Sequence, residues 1–156
     1  MKKLLFVCLG NICRSPTAEA IMNHLIQKEG LEDQITCDSA GTIGYHQGSP
    51  ADSRMKKHAA HYGYDLTSIS RPVSPEDFEK FDMIIGMDDQ NVTDLHHMDY
   101  TGKNGHKIHK MTNFCNRYHE NSVPDPYYGG DEGFKKVIHI LEDACGSLLA
   151  KILHEK

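Results

Sequence analysis

Cys8 and Arg14 bracket a five-residue stretch, Leu9-Gly10-Asn11-Ile12-Cys13, directly after the apolar run Leu4-Leu5-Phe6-Val7 and just before Ser15-Pro16 and a helical pattern. The order strand, tight Gly-Asn loop, helix N-terminus turns successive backbone N–H groups towards one point and makes an anion site. A thiol beside such an electropositive nest is favoured as thiolate, the nucleophilic form. Arg14 adds a planar fork matched to phosphate oxygens. A cation at the positive end of a helix is unfavourable unless an anion lies between them. Nucleophile, oxyanion cradle and charge clamp in one short segment read as phosphoryl transfer through cysteine. The plainer alternative is a cysteine acting as a small hydrophobe, followed by an ordinary Gly-Asn turn.

Such chemistry needs a proton donor for the leaving oxygen. The candidate is Asp125, between Pro124 and Pro126, where a stiff backbone can present a carboxylate over a site. Tyr127 and Tyr128 follow it, suited to stacking against an aromatic substrate. A plain turn aspartate beside surface tyrosines is the competing reading. Neither His96-His97 nor His106 with His109 has zinc spacing, and Cys8 and Cys13 are four residues apart rather than two. No Walker lysine pattern or G-x-G-x-x-G occurs, so the site calls for no metal and no cofactor.

The elements that must hold these residues are legible in outline. Lys3–Val7 reads as a central strand, apolar on both faces. Ala18, Ile21, Met22, Leu25 and Ile26 recur at helical spacing up to Gly30. Gln34–Asp38 is a short strand ended by Ser39-Ala40-Gly41, and a glycine-rich loop leads to a helix over 51–61. Ser74-Pro75-Glu76-Asp77 is a helix start with serine cap and proline at the first position. Phe81–Met87 holds a third strand, Asp88-Asp89 opens a helix to about His97, and Lys107–Met111 is a weak fourth strand. Phe134 through Ile152 traces one long helical face. Strands alternating with helices imply a parallel twisted sheet with helices on both faces. Ligands gather at the carboxyl ends of such strands, which aligns the Cys8–Arg14 loop, Ser39, Asp88 and the 112–131 loop along one edge.

The chain has 156 residues, 38% hydrophobic and 25% charged, which fits one soluble α/β domain spanning 1–156. A net charge of −5 gives no general attraction to nucleic acid or anionic membrane. The five cysteines are odd in number and lack a disulfide framework, so a reducing cytoplasm is the expected location. The opening Lys2-Lys3 and apolar run are too short for a signal peptide, cut by Gly10-Asn11 and followed by Arg14.

These residues closely resemble the low-molecular-weight protein tyrosine phosphatases. The likeness runs from Leu4 through the Cys8–Pro16 segment to Ala18-Glu19-Ala20, then Asp38-Ser39-Ala40, Gly44-Tyr45, Glu76-Asp77-Phe78, Phe81-Asp82 and Met87-Asp88. It closes with Asp125-Pro126-Tyr127-Tyr128-Gly129. The resemblance implies a four-stranded parallel sheet, Cys8 as nucleophile, Arg14 as phosphate clamp and Asp125 as general acid and then base. It implies that Asn11 and Ser39 brace the loop, that Ser15 donates to the Cys8 thiolate, and that Tyr45, Tyr127 and Tyr128 rim the cleft. Leu9, Gly10, Ile12 and Cys13 complete the phosphate-binding loop. Substrates would be phosphotyrosine-containing proteins, the product inorganic phosphate, and the protein a monomer or weak dimer. Ser68 departs from the histidine that animal members tend to carry.

Alternatives in the same superfamily are thiol-linked arsenate reductases, which need a cysteine relay, and protein arginine phosphatases, which carry threonine where this chain has Ile12 and lack the double tyrosine. Polysaccharide-linked bacterial tyrosine phosphatases would share the chemistry. A phosphotyrosine-binding or redox-sensing module would need a lost nucleophile or acid, and both are present. Cys13, which catalysis does not require, is expected either to fill space or to form a protective disulfide with Cys8.

Overall fold

Alternation along the first strand decides the architecture. In the computed structural model, which describes residues 1–126 and 129–155, β1 (Lys2–Cys8) lies inside a four-stranded sheet. Leu4, Phe6 and Cys8 enter one hydrophobic cluster, whereas Leu5 and Val7 enter another. Successive side chains of a strand point to opposite faces, so this strand needs cover on both. Residues of α1 (Arg14–Lys28) and α5 (Gly130–His154) fill the first cluster. Phe78 of α3 (Asp77–Lys80) and Leu95 of α4 (Asp89–Met98) fill the second.

The other strands are β2 (Ile35–Gly41), β3 (Met83–Gly86) and β4 (Ile108–Lys110). Their order is β2-β1-β3-β4 and every pairing is parallel. The single-domain α/β fold with a four-stranded parallel sheet is therefore as the sequence implied. A third cluster joins α2 (Ser53–His61) to α5 through Met55, Ala59, Phe134 and Ile138, and Cys13 of the 8–14 loop packs into it.

Boundaries differ where tertiary demands override local signals. The Ser74-Pro75 start yields only the single turn of α3, capped at Glu76 with no side-chain bond. Asp77 reaches back instead and accepts the Ser74 N–H at 2.8 Å. The chain leaves the turn because Phe81 is buried and extended and Asp82 N–H donates to Lys3 C=O at 2.8 Å, at the entry to β3. After α1, Gly30 adopts φ +67°, the left-handed conformation that ends a helix most easily with glycine. At the end of β2 a side chain on Gly41 would meet Leu9 C=O at 2.8 Å, so glycine lets this strand approach the 8–14 loop.

Candidate active site

The loop from Cys8 to Arg14 is held by its carbonyls. Thr42 N–H donates to Cys8 C=O at 2.9 Å, Ile43 N–H to Leu9 C=O at 3.1 Å and Asp52 N–H to Ile12 C=O at 2.8 Å. Ser70 Oγ donates to Gly10 C=O at 3.0 Å, and Thr17 Oγ1 to Cys13 C=O at 2.7 Å. Carbonyls tied outward leave the opposite edges of their peptides facing the other way. The N–H groups of Leu9 to Arg14 have no partner among the described residues, so they form a nest of donors for an anion.

Asn11 is the only described non-glycine residue at positive φ, 57°. Its buried side chain holds that conformation: Nδ2 donates to Ser15 Oγ at 2.8 Å and to Ser39 Oγ at 3.0 Å, and Oδ1 accepts the Arg71 N–H at 3.1 Å. Ser39 Oγ in turn donates to Glu19 Oε1 at 2.6 Å. Burial raises the Glu19 carboxyl above its ordinary range, against the opposing pull of the Ser39 bond. Ser15 Oγ lies 3.0 Å from Cys8 Sγ. A chain of hydrogen bonds therefore runs from Glu19 to the sulfur.

Arg14 is buried, and its Nη1 donates to Asp88 Oδ2 at 2.7 Å and to Val123 C=O at 3.1 Å. Burial disfavours its charge, but the Cys8 sulfur, Asp88 and Asp125 outweigh that and raise its affinity for the proton. Its Nε and Nη2 hydrogens have no partner among the described residues and remain available to an anion. Asp88 does double duty, because Oδ1 caps α4 by accepting the Asn91 N–H at 2.7 Å.

Cys8, Leu9, Gly10, Ile12, Cys13, Arg14, Ile43, Tyr45, His46 and Asp125 line one cleft of about 280 Å³. The structure thus brings Asp125, distant in sequence, to the same cavity as Cys8 and Arg14. Tyr45 is exposed at the rim and meets His46 edge-on at 4.8 Å. His46 lies so close to Gly10 that an added Cβ there would come within 2.9 Å of its ring. Tyr127 and Tyr128 lie outside the described residues. Ser68 lines a different cavity with Pro16, Glu19 and Tyr64, on the outer side of α1.

The remaining thiols are of a different kind. Cys13 is buried, and desolvation, with Asp52, Cys8 and Asp125 nearby, pushes it up to about 12 against Arg54. Burial also raises Cys37, Cys145 and Cys115, the last to about 12. Each of these three is within hydrogen-bond range of a carbonyl: Glu19 for Cys37, Ala18 for Cys145, Ile140 for Cys115. Burial and these contacts fit Cys37, Cys115 and Cys145 as packing groups.

Sequence reasoning placed Asp88 on the right edge without a role, and missed Glu19, His46, Ser70, Arg71 and the Val123 carbonyl. Asp88 had a signal, a carboxylate at a strand's carboxyl end. Ser70, Arg71 and Val123 had none, since nothing local marks a residue that supports a loop far away in the chain.

Residues 3–156 match the family described as low molecular weight phosphotyrosine protein phosphatase. A protein tyrosine phosphatase from Entamoeba histolytica, crystallised with Hepes in its active site, is 50% identical. It superposes with a TM-score of 0.95 over 99% of each chain. The low molecular weight protein-tyrosine-phosphatase YfkJ of Bacillus subtilis is 41% identical over 158 residues, covering 100% of this chain and 99% of its own. Its crystal structure gives a TM-score of 0.93. A Drosophila arginine phosphatase is more distant, 32% identical with a TM-score of 0.89 over 97% of this chain and 98% of its own. A family match over almost the entire length, on a fold with the same sheet, makes this chain a member of the low molecular weight phosphotyrosine protein phosphatase family.

Proposed function

We propose that the protein, acting over 1–156 as one domain, hydrolyses phosphotyrosine in proteins through a cysteinyl-phosphate intermediate, without a metal. The Cys8 thiolate attacks phosphorus while Asp125 gives its proton to the departing tyrosyl oxygen. Water then attacks the phosphocysteine, Asp125 takes the water's proton, phosphate leaves and the thiolate returns. The loop N–H groups and the Arg14 fork hold the equatorial oxygens in both steps. The observation that carries this reading is the convergence of Cys8, Arg14 and Asp125 on one cleft beneath an unpaired set of amides.

The arginine phosphatase reading gains weight from the Drosophila likeness, and Ile12 bears on it. Ile12 lines the cleft with an apolar branched side chain, which cannot pair with a guanidinium. Phosphotyrosine is therefore the preferred substrate, and Ile12→Thr raises phosphoarginine turnover relative to it. Assaying phosphotyrosine, phosphoserine and phosphoarginine peptides side by side tests both; a wild-type preference for phosphoarginine would sink the tyrosine reading.

Cys13 belongs to the same proposal as a reversible guard. Oxidation of Cys8 to a sulfenic acid would be intercepted by Cys13 as a disulfide. The support is proximity, since both thiols line the same cleft. Cys13→Ser should keep its activity yet recover poorly with dithiothreitol after peroxide; equal recovery leaves Cys13 as packing. A cytoplasmic, monomeric or weakly dimeric protein is the setting in which we place this chemistry.

A further inference from the structure

Leu9, Ile43 and Tyr45 give the cleft an apolar, exposed portion. A second groove, of about 430 Å³, opens between α2 and the start of α5, lined by Arg54, Lys57, His58, His61, Asp131 and Lys135. Two contacts link its supports to the loop under the cleft. Asp52 N–H is bonded to Ile12 C=O, and Phe134 packs in the cluster that contains Cys13 and Met55. Phe134 is itself the platform of the groove: the His58 ring stacks on it at 5.1 Å and 7°, and Arg54 Cζ lies 5.1 Å from its centroid.

Helix α2 carries Arg54, Lys56 and Lys57 with no acidic residue. Asp52, at its N-cap, spends its carboxylate on the Arg54 and Met55 N–H groups. Within the groove His58 Nε2 meets the exposed Asp131 Oδ1 at 3.1 Å, and two further ion pairs there are longer. Arg54 is 3.4 Å from Asp52 and Lys135 is 3.5 Å from Glu132, with the Arg54, Lys135 and Glu132 side chains all well exposed. Exposed pairs of this kind contribute little. Lys57 is exposed and has no ion pair among the described residues. In a protein of net charge −5, this concentration of cations beside the cleft is local rather than general.

We propose that this groove is a substrate subsite for an anionic side chain, a carboxylate or second phosphate, that flanks the phosphotyrosine in the substrate chain. The inference rests on the phosphotyrosine reading above. Three extended residues span about 10 Å, which sets the reach of an anionic side chain placed within three positions of the phosphotyrosine. Arg54 and His58 are ordered on Phe134 beforehand, which lowers the entropy lost on binding.

The test compares three matched phosphotyrosine peptides, flanked by glutamate, by glutamine, or by a second phosphate, at low and high salt. The wild-type protein should favour both anionic peptides about three- to tenfold in kcat/KM, mainly through KM, with the gap closing in high salt. The doubly reversed variant Lys57→Glu/Lys135→Glu should lose or invert the gap while turning over p-nitrophenyl phosphate at the wild-type rate. The single variant Lys57→Gln should show a smaller loss, which separates charge from any misfolding of the double variant. A wild-type protein that treats charged and neutral peptides alike, or a gap that survives charge reversal, would overturn the subsite and leave the phosphatase reading intact. Failure on every phosphotyrosine substrate and on p-nitrophenyl phosphate would overturn both.

Discussion

Two loops meet at the cleft, and they are built to different standards. The 8–14 loop is pinned from β2, from residues 70–71 and from the start of α2, with one left-handed asparagine bonded on three sides. Among the described residues, the arm that carries Asp125 is held chiefly through Val123 and Asn121. Val123 N–H donates to Met87 C=O at 2.9 Å, Val123 C=O accepts from Arg14, and Asn121 is tied to Thr112, Lys110 and Asp89. Beyond the acid, Pro126 C=O accepts the Gly129 N–H at 3.0 Å. A cradle for developing charge works only if its dipoles are fixed beforehand. A proton donor needs reach, and a stiff proline-flanked segment supplies it. Arg14 joins the two standards, because one nitrogen bonds both the frame at Asp88 and the arm at Val123.

The largest effect should come from the arm's one reactive group. Asp125→Asn should slow hydrolysis of poor leaving groups, such as alkyl phosphates, by about 100- to 10,000-fold. Activated aryl phosphates should suffer much less, and a leaving-group series measures the slope. Equal losses across the series would assign Asp125 a structural part or a part in the second step alone.

Asp88→Asn strikes the joint between the loops. Asparagine preserves the α4 cap, so the change removes the charge beside Arg14 alone. Misplacing the fork and loosening Val123 should lower kcat by about 100-fold. Stability should fall by about 1–3 kcal/mol, discounted from the usual cost of a broken buried pair because the Asp88 side chain is 27% exposed. Denaturant melts and steady-state kinetics read the two effects separately; unchanged kcat would show that Asp88 does not position Arg14.

Asn11→Ala tests whether the frame needs its side-chain bonds. It should cost about 1–3 kcal/mol and lower kcat by about tenfold. Asn11→Gly accepts the positive φ freely but loses the same bonds. If glycine behaves as the wild type, relief of strain rather than hydrogen bonding governs the loop.

Asn121→Ala should do least, within about 1 kcal/mol and threefold in kcat, because its side-chain bonds are exposed. A large drop would mean that the acid arm is as rigidly specified as the loop, and the comparison would fail.

Amino-acid order by itself determined the central strand, the anion nest, the Cys8–Arg14 pair and the long C-terminal helix. Each is made of contiguous or periodic residues, so local geometry suffices to read it. A parallel sheet with helices on both faces also followed, from strands alternating with helical patterns, whereas the order β2-β1-β3-β4 came only with the fold. Tertiary structure alone decided which groups hold the nest. Ser70 and Arg71 reach Gly10 and Asn11 across sixty positions, and Val123 reaches Arg14 across 109. A backbone carbonyl has no side-chain signature, and a lone serine or arginine reads as surface until the fold supplies its partner. The one-turn α3 teaches the same lesson in reverse: its capping signal was local, but burial of Phe81 at the entry to β3 set its length. The cationic groove likewise joins α2 to the start of α5 only because Phe134 packs between them, a contact no spacing in the chain announces.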